Sequence, residues 1–154
     1  MKKFIQNKLK DQKGLTLIEL LAVIVILAII AAIAIPAIGS MIENSRNGAV
    51  KADFQNAISS ANIYFTENPQ GMAASAGGFS GTVTVQELVK EKYLDDKGSL
   101  KDAVVITKAA GGNTISGSAE ANGKTYTLKS ALTNAQLTSI KNANFTGTSI
   151  APAP

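Results

Sequence analysis

From Leu15 to Ile42 the chain is mostly aliphatic and carries one charged residue, Glu19, while sixteen consecutive apolar residues run unbroken from Leu20 to Ile35. Such a run calls for lipid or for a packed helical core. Taken as helix from Leu15 to Ile38 it is about 36 Å long at about 1.5 Å per residue, enough to cross a hydrocarbon layer of about 30 Å. Its β-branched residues hinder a soluble helix, but they matter less where the backbone must satisfy its own hydrogen bonds. Pro36 removes a backbone donor and tends to kink a helix interior, and Gly39 and Ser40 lower the local helix propensity further.

Beyond Pro36 the pattern changes from uniformly apolar to one-sided. Val50, Phe54, Ala57, Ile58, Ala61 and Phe65 fall on one helical face, and Arg46, Asn47, Lys51, Asp53, Asn56, Ser60 and Asn62 largely occupy the rest. The spacing predicts an amphipathic helix from Glu43 to Glu67 laid on a sheet. Pro69 to Gly81 is rich in small, turn-forming residues and reads as a long exposed loop. Thr84-Val85-Gln86-Glu87 has the capping-box pattern and starts a short helix that ends before Asp95.

Strand-like runs follow at Ala103–Thr107, Thr114–Glu120 and Lys124–Leu128. Asn122-Gly123 is a hairpin signal, Gly111-Gly112 a looser turn, and together they predict a three-stranded antiparallel meander. Thr133-Asn134-Ala135-Gln136 repeats the capping box ahead of a last helix with Leu137 and Ile140 facing inward. The tail from Gly147 to Pro154 reads as unpacked. About a hundred residues from Phe54 onward bury a modest core, so the expectation is one α+β head domain.

Charge gives the orientation. The leader holds Lys2, Lys3, Lys8, Lys10 and Lys13 against Asp11, which by the positive-inside rule keeps it cytoplasmic and sends the C-terminus outward. An ordinary secretory signal is cut after its apolar stretch. Here the small residue, Gly14, comes before it, so a cut between Gly14 and Leu15 removes the basic leader and makes the apolar helix the new N-terminus. Glu19 then stands out, because a charge at mid-span costs about 2.5–3.5 kcal/mol on insertion scales. Two readings stay open: the carboxylate reaches the headgroups from the end of the span, or it pairs with the new α-amine of Leu15 in its own chain or a neighbour.

Lys13-Gly14, then Leu15-Thr16-Leu17-Ile18-Glu19-Leu20-Leu21, then Pro36 resembles the prepilin signature of type IV pilins and their pseudopilin relatives, over roughly residues 8 to 45. The resemblance implies cleavage after Gly14 by a prepilin peptidase and N-methylation of the Leu15 amine. It further implies that Glu19 aligns an incoming subunit with the N-terminus of one already assembled, and that the segment around Pro36 and Gly39 can lose helical structure in the filament. The family usually has Phe where this chain has Leu15; since the methylated group is the backbone amine, Leu is expected to serve. The expected organisation is a cleaved leader at 1–14, a protruding apolar helix at 15–53, a head at 54–146 and a flexible tail at 147–154.

Composition narrows the function. The net charge is +4, and the leader's five Lys less one Asp account for all of it, leaving ten basic and ten acidic residues in the remainder. A broad basic face for nucleic acid is therefore not expected. There is no Cys and no His, which removes the commonest zinc ligands, the usual Ser-His and Cys-His nucleophile pairs, and the disulfide that closes many Gram-negative pilin heads. The lack of Cys leans toward a Gram-positive pilin, and no enzymatic function, cofactor or metal is expected. Asp95, Asp96 and Asp102 lack the spacing of a defined calcium loop, and Asn144-Phe145-Thr146 is a short, common glycosylation sequon.

The function this implies is that of a structural subunit of an extracellular type IV pilus. The alternative is a pseudopilin or minor pilin of a secretion or DNA-uptake pseudopilus, and a third, different in class, is a surface protein on an uncleaved signal anchor. The implied partners are copies of the chain itself, the prepilin peptidase and methyltransferase, an assembly platform and motor, minor pilins, and membrane lipid before assembly. The implied location is the cytoplasmic membrane as a single-pass precursor, leader inside and head outside, and then the extracellular pilus. Motility and adhesion, which the resemblance also brings, depend on motors and tip proteins that are other chains.

Overall fold

A computed structural model of the chain describes residues 16–72 and 81–152. The leader and the cleavage-site pair Gly14 and Leu15 lie outside the described residues, as does most of the loop expected at 69–81. Helix α1 runs from Leu17 to Glu67 without interruption through Pro36. The chain divides into two compact units between Met41 and Ile42, and each is described by itself.

In the first unit the large aliphatic side chains of α1 from Leu17 to Met41 are each between 49% and 87% exposed. In the second unit the helix acquires a buried face made of Asn47, Val50, Phe54, Ala57, Ile58, Ala61, Tyr64 and Phe65. All six apolar positions singled out by their helical spacing are in it. Burial begins at Asn47 and Val50, ahead of the expected start of the head at Phe54. Asn47, which sequence assigns to the polar side, is 1% exposed.

Two small antiparallel sheets complete this unit. Strands β1 (Thr82–Thr84), β2 (Val105–Thr107), β3 (Thr114–Ser116) and β6 (Leu132–Thr133) form one in the order β1-β2-β3-β6, while β4 (Ser118–Ala121) and β5 (Lys124–Thr127) form the other. The expected three-stranded meander is thus a four-stranded sheet and a separate hairpin. The single strand expected over Thr114–Glu120 breaks at Gly117, whose φ of +128° few other residues adopt. Val83, Ile106, Ile115 and Leu132, one from each strand of the larger sheet, are all buried, and the register sets Val83 opposite Ile106 and Ile106 opposite Ile115.

The turn between β4 and β5 bears out the hairpin signal: Asn122 and Gly123 have φ of 52° and 75°, the positive values a type I′ turn requires. Helix α2 (Val85–Lys90) starts where Thr84 caps it, with Glu87 N–H donating to Thr84 Oγ1 at 3.2 Å. The reciprocal half of that capping box is replaced, since Thr84 N–H donates to Met72 Sδ at 3.3 Å. Helix α3 (Asn134–Ser139) has the complete box between Thr133 and Gln136.

The tail, expected to be unpacked, is instead held at Ile150, which is 2% exposed and bridged in parallel to Leu128. Ile150 N–H donates to Thr127 O at 3.0 Å and Lys129 N–H to Ile150 O at 2.9 Å. The reason is apolar burial: Ile150 joins Phe145, Tyr126 and Phe54 in a core where Phe54 and Phe145 meet edge-on with centroids 6.0 Å apart.

Candidate functional site

The start of α1 is built by two residues. Thr16 N–H donates to Glu19 Oε2 at 2.8 Å, Thr16 Oγ1 donates to the same oxygen at 2.9 Å, and Glu19 N–H donates back to Thr16 Oγ1 at 3.3 Å. This reciprocal arrangement is a capping box, and it satisfies donors that every helix N-terminus leaves open. The negative charge also sits at the helix end where the macrodipole favours it. Thr16-Leu17-Ile18-Glu19 shows the pattern in sequence, by the same rule that marks Thr84 and Thr133. An acid so expensive in hydrocarbon draws attention to a pairing partner first, and its role in its own helix is easily missed.

The cap uses one carboxylate oxygen. Glu19 Oε1 takes no hydrogen bond among the described residues, and the side chain is exposed. The site therefore presents an acid at a helix terminus with one oxygen available to a further donor. Leu15, whose amine is the expected donor, and Gly14 lie outside the described residues.

Downstream, α1 offers an unbroken apolar surface. It is the one helix among the described residues long and apolar enough to cross a membrane, and nothing in its most apolar stretch is buried. Pro36 lies within it, where the missing N–H leaves one turn short of a backbone bond. Ser40 Oγ donates to Ala37 O at 2.9 Å, and a side chain at Gly39 would meet nothing within 4 Å. The helix is continuous here, so these residues lower its cohesion without interrupting it.

The weaker sequence candidates are dispersed. Asp102 is paired with Lys97 at 2.8 Å, and Asp96 Oδ1 accepts from Gly98 N–H at 3.1 Å. No group of three or more His, Cys, Asp or Glu able to hold a metal occurs among the described residues. Asn144 of the sequon is exposed at the end of a short 3₁₀ turn, Asn142–Asn144, and the following Phe145 is buried.

Comparison with known proteins singles out the same N-terminal segment. The family model for the prokaryotic N-terminal methylation motif matches residues 9–35. No curated protein and no solved structure matches the chain. The matched stretch takes in Gly14, Leu15, Glu19 and most of the exposed apolar helix, and the antiparallel sheet and short helices that follow give the α+β arrangement of a pilin. Residues 9–35 thus carry the N-terminal methylation signature of type IV prepilins and pseudopilins.

Proposed function

We propose that this chain is the structural subunit of an extracellular type IV filament. The observation that carries the reading is the methylation motif at 9–35 overlapping the stretch of α1 from Leu17 to Met41, whose large aliphatic side chains are exposed and whose one acid, Glu19, stands at the helix start. An aliphatic surface of that extent needs lipid or other helices around it. The membrane supplies lipid while the chain is a precursor, anchored by one span with its lysine-rich leader inside; a bundle of identical helices supplies the cover after assembly.

Cleavage between Gly14 and Leu15 and methylation of the Leu15 amine produce a cationic N-terminus beside an acid. At an α-amino reference pKa of about 7.7–8.0 such an amine is mostly charged at neutral pH. Glu19 keeps one oxygen for capping and offers the other to the amine of a neighbouring copy, which removes an uncompensated charge from hydrocarbon as the subunit leaves the membrane. The Pro36–Gly39 segment gives the helix a place to loosen as it packs. The role is structural rather than enzymatic.

Replacing the acid tests this. Glu19→Ala is expected to leave the chain folded and membrane-inserted while surface filaments are lost; normal filaments from the variant would refute the pairing role. Pseudopilins and minor pilins share the motif, and abundance separates them: a subunit that dominates sheared surface filaments is the main pilin, and one found only in membrane fractions is not.

A further inference from the structure

On the second unit, one groove of about 340 Å³ combines apolar and acidic character. One wall is α1 at Ser59, Ser60 and Ile63, the other the turn from Tyr93 to Asp96. Ile63 is 58% exposed and is the one large aliphatic side chain exposed beyond Ile42 among the described residues. Asp95 and Asp96 are exposed and take part in none of the ion pairs among the described residues; the nearby Lys92 is likewise in none. The groove is held open by its surroundings, since Tyr93 packs edge-on against Tyr64 at 5.2 Å between centroids and donates its hydroxyl to Glu67.

The complementary charge lies elsewhere on the same unit. Lys129 and Lys141 are exposed and also belong to none of those ion pairs. They flank the C-terminal segment: Lys129 N–H donates to Ile150 O, and Lys141 lines a cavity with Ala151. The backbone on either side of Lys141 is tied to α1, with Lys51 Nζ donating to Ile140 O at 3.0 Å and Asn47 Nδ2 donating to Asn142 O at 3.0 Å. The basic edge therefore stands at helix residues 47–51 and the acidic groove at 59–63, about 18 Å apart along the axis at about 1.5 Å per residue.

We propose that the acidic groove of one copy receives the Lys129–Lys141 edge of another, with Ile63 covered by the contact. This rests on the filament-subunit reading above and names the head surfaces that such a filament would join. The two patches differ, so the contact is heterologous. Because they are also offset along the helix, it displaces the second copy axially and propagates rather than closing into a dimer. Both lysines and both aspartates gain ion-pair partners that the described residues of their own copy do not give them, and charge complementarity of this kind fixes register and excludes wrong neighbours.

Charge reversal in the full-length chain tests the contact, read as filament yield in the sheared surface fraction of producing cells. Asp95→Lys with Asp96→Lys is expected to lower the yield about tenfold or more, as is Lys129→Glu with Lys141→Glu, and all four together are expected to restore it. A second measurement keeps native charge elsewhere. The chain has no Cys, so Asp96→Cys with Lys141→Cys should give a ladder of multimers in filaments treated with a short bis-maleimide, and either substitution alone should give none. Undiminished filaments from both reversals, failure of the combined variant to recover, or the absence of a ladder overturns the contact alone. Absence of filaments from the unsubstituted chain overturns the filament reading and this contact with it.

Discussion

Asn47 Oδ1 accepts the Tyr126 hydroxyl at 3.0 Å in the interior, across 79 residues of sequence. The amide's other end donates to Asn142 O, so one side chain on α1 ties the β4–β5 hairpin and the C-terminal turn to the helix. Asn47 is the one buried polar residue among the described residues, and no buried side-chain polar atom there lacks a partner. A polar group placed so is inexpensive while paired and costly once its partner is removed.

That asymmetry gives the first prediction. Asn47→Leu strands the Tyr126 hydroxyl and is expected to destabilise the full-length chain in detergent by about 1–3 kcal/mol, and Tyr126→Phe likewise strands Asn47. Because the two residues act on one bond, the double variant is expected to lose less than the sum of the singles, with a coupling of about 0.5–3 kcal/mol in denaturant unfolding. Strict additivity would show that the bond contributes nothing.

Gly117 is the hinge at which the chain passes from the four-stranded sheet to the hairpin. Its φ is +128°, and an added Cβ would stand 3.0 Å from Val104 Cα, a backbone atom that cannot rotate away. Gly117→Ala is expected to cost about 1–3 kcal/mol, seen as a lower melting temperature. At Gly123, where φ is +75° but nothing lies within 4 Å, Ala has only the backbone term to overcome and should cost less.

Glu43 and Lys124 form an exposed ion pair that joins the helix to the hairpin tip. The hydrogen bond from Lys124, followed by its charge, holds the Glu43 carboxyl below its ordinary value of 4.5, and the same bond raises Lys124 above 10.5. A depressed carboxyl pKa contributes stability that is present above the unfolded value and is lost as pH falls through the folded one. Acidification from about pH 5 should therefore weaken the native chain less in Glu43→Gln than in the unsubstituted protein, and added salt should narrow the difference. Identical acid-unfolding curves would contradict the coupling.

These residues also show what a sequence makes visible. The apolar segment and the buried stripe of α1 are legible because each is a property of neighbouring residues: a run without charge, or a repeat matched to the helical turn. The Asn122-Gly123 hairpin and the Thr133 cap are legible for the same reason, since each turn's chemistry is local. Asn47 is not, because its burial depends on a partner 79 residues away. Strands β1 and β6, three and two residues long, carry too little alternation to stand out beside the helix starts that follow them. Ile150 is one apolar residue amid Thr, Ser, Ala and Pro, and only the Leu128 bridge reveals its place. At the candidate site the roles proposed for Gly14, Leu15 and Glu19 rest on a motif, whereas the Thr16 bonds that hold Glu19 follow from geometry.

If the precursor is cut and methylated before it polymerises, the change is written in the mass of the assembled subunit. Intact-mass measurement of the main subunit in sheared surface filaments is expected to give a chain that begins at Leu15, lacking residues 1–14 and carrying one added methyl group on its N-terminal amine. A subunit still beginning at Met1 would overturn the proposed processing and, with it, the pilin reading.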